Sequence, residues 1–145
     1  MFDRAEKAVP QDHGRFLSAL ARAEDAPLKA VAEAMLPELG DIEVVASRTG
    51  LVMLPMRDTV QGTDFFLGEV LVAEAHIRAR GVEGYGMVTG RDLERAMAVA
   101  VLDAAHALGL SAAAGFAAAE AARQKAADRE TLRRIEATRV DMETF

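Results

Sequence analysis

The chain contains no cysteine. That absence removes disulfides, thiolate zinc sites, iron–sulfur clusters and cysteine nucleophiles together, and it fits a reducing compartment. No apolar run reaches the roughly 18 residues that a membrane-spanning helix needs, so no membrane association is expected. The first residues, Met1 to Lys7, carry acids and lack the apolar centre of a signal peptide. A cytoplasmic location is the expectation. Basic residues are outnumbered, and the formal net charge of −6 at pH 7 argues against a general nucleic-acid binder, which needs a basic stripe to displace counterions. Aromatics are scarce at 5%, and 30 of the residues behind the 51% hydrophobic figure are alanine. The interior must be built from Leu, Val, Ile and Met with close Ala packing. Such a core is either modest or completed by another chain.

What is present fits one domain over residues 1–145, with tails at about 1–10 and 138–145 and no internal repeats. Its organising stretch is Phe65 to Asp92. Along Phe65–Arg80 the odd positions are apolar except Glu69, while the even positions end in Glu74, His76, Arg78 and Arg80. This is the period-2 pattern of a strand with one buried face, and it places Phe65 in the core. Gly81 to Gly84 supplies a turn, Tyr85 to Thr89 a return strand, and Gly90 leads into a helix at Asp92. Before this stretch, Phe16, Leu17 and Leu20 share a helical face. Pro27 suits the first turn of a second helix, which Pro37 and Gly40 end. Asp41–Ala46 reads as one strand, Ser47–Gly50 as a turn, and Leu51–Met56 as another strand, with Pro55 at an edge or a bend. After it, Leu93, Ala96, Met97, Ala100, Val101, Ala104 and Leu108 keep a 3.6-residue stripe that should pack on the sheet. The last helix, about Ser111–Ala137, has few bulky residues (Phe116, Leu132, Ile135) and little with which to anchor itself. The predicted fold is α+β: a four-stranded, mainly antiparallel sheet with an N-terminal helical hairpin and two C-terminal helices.

Candidate chemistry is thin. Gly90-Arg91-Asp92 can hold a phosphate, because glycine admits the backbone, Arg91 offers a fork and the helix end adds partial positive charge. The same three residues also read as a turn glycine, a surface arginine and an N-cap. His76 between Glu74 and Arg78, and His106 one turn from Asp103, are each a possible base. With His13 they are the only histidines, and none pair at metal-ligand spacing, so no metal site is expected. Arg78 and Arg80 either meet an acidic partner or guard a strand edge. Phe66 faces away from Phe65 and needs cover from a helix or a partner. No P-loop, Ser/His/Asp order, dinucleotide fingerprint or carboxylate pair occurs, and no catalytic residue is assigned.

Four motifs in order resemble a known family. Thr49-Gly-Leu-Val52, Phe65-Phe66-x-Gly68-Glu69, Gly84-Tyr85-x-x-Val88-x-Gly90-Arg91-Asp92 and Thr138-Arg139-Val140-Asp141 are similar to the G subunit of the bacterial carbon–phosphorus lyase system, from about Gln11 onward. Arg48 stands where the family pattern leads to an acid, and Met142 where it leads to an aromatic. The chain stops at Phe145, short of the tail some relatives carry. The resemblance implies a subunit that assembles with the H, I and J subunits in a two-fold core complex. With H, I and L it would be required to transfer the ribose triphosphate of ATP to methylphosphonate, releasing adenine. The later radical step belongs to the J subunit, whose cluster needs cysteines. ATP would be a substrate of the assembly, and no cofactor is expected in this chain. The expected partner-facing residues are Phe66, Tyr85, Phe116, Arg139, Val140 and Asp141, chiefly toward the I subunit, with self-association when the chain is isolated. A self-assembling scaffold without phosphonate chemistry is the alternative.

Overall fold

The computed structural model describes residues 11–140. Helix α1 (Gln11–Ala21) and helix α2 (Asp25–Leu39) follow one another in the chain, but they do not pack as the expected hairpin: α1 lies chiefly against α4, α3 and β3, and α2 against α3. In α2 the buried side chains Leu28, Ala32, Met35 and Leu39 follow helical spacing and make its inner stripe. Pro37 lies inside the last turn rather than ending the helix. The stop comes at Gly40, whose φ of 67° turns the chain while its N–H still bonds the carbonyl of Leu36.

Among the described residues the sheet has three strands, not the four expected. Strands β1 (Ile42–Arg57), β2 (Asp64–Ala79) and β3 (Val82–Thr89) pair antiparallel in the order β1-β2-β3. The expected turn at Ser47–Gly50 does not form. Each of its residues has a partner on β2, from Ser47 opposite Ala75 to Gly50 opposite Val72. Local turn composition lost to the pairing offered by a 16-residue neighbour. Pro55 does sit on an edge strand, beside a register shift between Leu54 and Pro55, as its missing N–H requires. The β2–β3 turn is also tighter than expected. Ala79 pairs with Val82, and the two linking residues, Arg80 and Gly81, have φ of 49° and 79°. This is the twist-matched two-residue hairpin. Arg80 therefore leaves the strand face and donates instead to the Glu38 carbonyl at the end of α2.

Helix α3 (Leu93–Ala107) is the centre of the molecule, and nearly all of Ala96–Ala105 is buried. It lies on β3 at Gly84 and Gly86. A Cβ on Gly84 would come within 2.1 Å of the Ala100 carbonyl, and one on Gly86 within 2.2 Å of the Ala96 carbonyl. Two glycines spaced by two let the helix backbone touch the strand. Ala73, Ala75, Ile77 and Ala79 of β2 complete this layer, and α1 and α2 cover other sides of α3.

Two parts extend beyond this core. β3 ends at Thr89 opposite Val72, so past Gly50 and Val72 strands β1 and β2 continue as a two-stranded arm. Every residue of Leu51–Arg57 and Asp64–Glu69 is exposed there. Phe65, expected in the core, is 44% exposed and Phe66 63%. The period-2 pattern holds along Ala73–Ala79, but among the described residues no helix covers the Phe65 end of the strand. Helix α4 (Ser111–Ala137) docks only by its first half, through Ala113, Ala117, Glu120 and Gln124. From Lys125 to Val140 every residue is exposed.

Candidate functional site

Since Gly84 and Gly86 face α3, the intervening Tyr85 faces the opposite side of the sheet. His76 lies across from it and Glu83 across from Arg78. A polar network covers this outer face. The Tyr85 hydroxyl donates to Glu74 at 2.6 Å, and Arg48 of β1 donates to the other oxygen of Glu74. Arg78 donates to Glu83 at 3.0 Å, with His76 Nε2 3.6 Å from the same carboxylate. Burial, followed by the neighbouring Glu74 carboxylate, pushes the Tyr85 phenol up to about 12. The Tyr85 hydroxyl, and then Arg48, hold the Glu74 carboxyl below its ordinary value. Arg48, which departs from the family pattern, thus has a defined partner.

Tyr85 also ties the sheet edge to the helices. Its backbone N–H donates to Asp103 Oδ2 at 2.9 Å, while Asp103 Oδ1 lies 2.7 Å from His13 Nε2. Asp103 is buried, so both contacts are needed to satisfy it. His106 is not its partner and instead stacks on Phe16, with ring centroids 4.3 Å apart. Sequence reading set Asp103 beside His106 by helical spacing and missed His13 and the Tyr85 amide. The available signal was a lone acid in an otherwise apolar stretch of helix.

The Gly90–Asp92 corner is assembled as a helix cap. Gly90, with φ of 96°, donates its N–H to the Leu71 carbonyl at 2.8 Å. Asp92 is the N-cap of α3 and accepts from the Arg95 N–H at 3.0 Å. That bond is the first cause, and Lys29 a lesser one, of a carboxyl held below its ordinary value. Lys29 lies 3.1 Å from Asp25, 3.6 Å from Asp92 and 3.4 Å from Glu94. Arg91 is exposed and in no ion pair among the described residues.

The remaining expected residues are scattered. Phe66 stands on the arm, and Phe116 is half-buried at the root of α4. Arg139 pairs with Glu136 at 3.2 Å and Val140 is 78% exposed. Asp141 and Met142 lie outside the described residues, as do residues 1–10. Among the described residues no group of three or more His, Asp or Glu is placed to hold a metal, and no helix is long and apolar enough to cross a membrane.

The sequence model of the family described as phosphonate metabolism protein PhnG matches residues 12–145. The chain belongs to that family. The motif resemblance is thereby borne out, and the role of the chain lies in phosphonate metabolism. In this PhnG-family chain much of the third motif does structural work. Gly84 admits α3, Tyr85 joins Asp103 to Glu74, Gly90 turns the chain and Asp92 caps the helix. The first two motifs lie on the β1–β2 pair, largely on the arm, and the fourth follows α4.

Proposed function

We propose that this chain is one subunit of the carbon–phosphorus lyase core complex, working in the cytoplasm with the H, I, J and L subunits. In that reading it is required for transfer of the ribose triphosphate of ATP to methylphosphonate, with release of adenine, and is not catalytic alone. The observation that carries the reading is the apolar arm. Leu51, Met53, Phe65, Phe66 and Leu67 are each 44–64% exposed, a patch that marks a protein contact in a soluble chain. Leu132, Ile135 and Val140 at the end of α4 and just beyond it are 58–78% exposed as well. A preparation of the H, I, J and L subunits should release adenine from ATP and methylphosphonate only when this chain is added. Phe66→Asp, or Arg139→Ala with Asp141→Ala, should lower its recovery with the I subunit. Equal adenine release without the chain would refute the reading.

A second reading gives Arg91 a direct hold on ATP phosphates at a shared site. It is supported by the exposure of that guanidinium, free of ion pairs among the described residues, beside the N-terminus of α3. The three carboxylates around Lys29 weigh against it. Arg91→Ala in the assembled complex should cut adenine release while leaving assembly intact. Loss of assembly would make Arg91 structural.

A further inference from the structure

Strand β1 lies at one edge of the sheet, and along Ile42–Arg57 only Ile42 and Ala46 are partly buried. Alternate residues of such a strand point their backbone N–H and C=O groups away from β2, and among the described residues no strand pairs on that side. The opposite edge strand, β3, has 8 residues against the 16 of β1 and lies beside α1. A long open edge is a template for a further strand unless a bulge, a proline or charge blocks it. On β1 the blocks stand only toward the ends. One register shift falls between Val44 and Ala46, and another between Leu54 and Pro55, where the proline lacks an N–H. Between them the ladder on β2 is unbroken, from Ala46 opposite His76 to Leu54 opposite Gly68. This stretch has no proline, no lysine and a single charge, Arg48, which is turned toward Glu74 of its own chain.

We propose that β1 pairs along this edge with β1 of a second copy, antiparallel and about a two-fold axis at Gly50, joining two three-stranded sheets into one. Self-complementarity selects the occupant. An antiparallel pair must match faces, so each residue meets either itself or a residue an even number of positions away. The midpoint of the unbroken stretch is Gly50. Centring there sets Ala46 opposite Leu54, Ser47 opposite Met53, Arg48 opposite Val52 and Thr49 opposite Leu51. The charged residues of β1 are Glu43, Arg48 and Arg57. In this register Glu43 falls opposite Arg57 of the second copy, in both directions, while Arg48 meets an uncharged residue. An axis one residue to either side breaks both charge matches. Glu43 and Arg57 are exposed and held only loosely in their own chain, 3.9 Å from Arg78 and 3.9 Å from Asp64. A two-fold contact closes on itself and stops at a dimer. The inference is independent of the phosphonate reading, since it uses the backbone edge and leaves the apolar faces of the arm free.

The test is sedimentation equilibrium of the full chain joined to disulfide mapping, which the absence of native cysteine makes unambiguous. Wild type should dimerise. Directly opposed residues of an antiparallel pair have Cα atoms about 4.5–5.5 Å apart, within the span of a disulfide, and a Cβ at Gly50 meets nothing within 4 Å. Gly50→Cys should therefore cross-link to itself on mild oxidation. Arg48→Cys and Val52→Cys should each stay unlinked alone, because like positions then lie about 13 Å apart along the strands, and should cross-link when mixed. Glu43→Arg or Arg57→Glu should weaken the dimer about tenfold, and the two changes in one chain should restore it. All these positions are exposed, and should a variant of one set misfold by circular dichroism, the other set decides alone. A wild-type monomer would overturn the proposal and leave the edge to a strand of another protein. Self-linking of Val52→Cys, a dimer in which Gly50→Cys stays unlinked, or charge reversals that leave the dissociation constant unchanged would each overturn it as well.

Discussion

At the scale of single residues, Tyr85 links its strand to both β2 and α3. Its hydroxyl reaches Glu74 and its amide reaches Asp103 on α3. It is also the only tyrosine, in a chain without tryptophan, so its ionisation can be read directly from phenolate absorbance. The absorbance should titrate at about 12, and Glu74→Gln should bring the midpoint down toward the ordinary value of 10.0. The linked stability has a definite sign. Between pH 10.0 and about 12 the folded chain holds a proton that the unfolded chain has lost, so stability falls as pH rises through that window. Tyr85→Phe should flatten that part of the denaturation profile. Gly84 gives a second prediction. Replacing it with alanine recovers about 0.5–1 kcal/mol of unfolded-chain entropy but sets a methyl 2.1 Å from a backbone carbonyl that cannot swing aside. Overpacking costs about 1–3 kcal/mol, and a backbone obstacle puts this case at the upper end. Urea unfolding of Gly84→Ala should therefore show a net loss of about 2 kcal/mol with little change in slope.

At the scale of elements, the β1–β2 arm separates pattern from burial. Between the core and the hairpin tip both faces of β2 become apolar, with Phe65, Leu67 and Leu71 on one and Phe66, Val70 and Val72 on the other, and at the tip Asp58 accepts from the Val60 N–H and pairs through its own backbone with Thr63 and Gly62. The arm is thus an ordered hairpin with greasy faces. Lacking a third strand and a covering helix, its outer amides should exchange with solvent sooner than those of Ala73–Ile77, which lie under α3. Hydrogen exchange followed by mass spectrometry checks this. The partner that covers the arm should slow its exchange most. Phe66→Asp should leave the thermal midpoint of the isolated chain almost unchanged, because that ring is already 63% exposed. A large drop would mean that the ring packs within this chain after all. Helix α4 repeats the theme, for its alanine stripe docks closely while Leu132 and Ile135 stay more than half exposed.

At the scale of the whole molecule, a small core of alanine and short aliphatic side chains supports two projecting elements whose large apolar side chains stay exposed. A partner that binds only the folded form stabilises it by mass action, so on the function proposed above the melting temperature should rise with the concentration of the I subunit and stay level with an unrelated acidic protein. Helical and strand periodicity, the caps at Asp92 and Gly40, the edge position of Pro55 and the family itself were all legible in the sequence, because each depends on residues close along the chain or on a pattern of motifs. Three things were decided only by the tertiary structure. Ser47–Gly50 became strand because a long neighbour offered it a full ladder. Asp103 found His13 and the Tyr85 amide because α1 and β3 meet at one side of α3. Phe65 stayed exposed because none of the described elements packs over the far half of the sheet. In each case the outcome rests on which distant element arrives as a neighbour, and side-chain periodicity alone specifies a face without specifying what, if anything, will cover it.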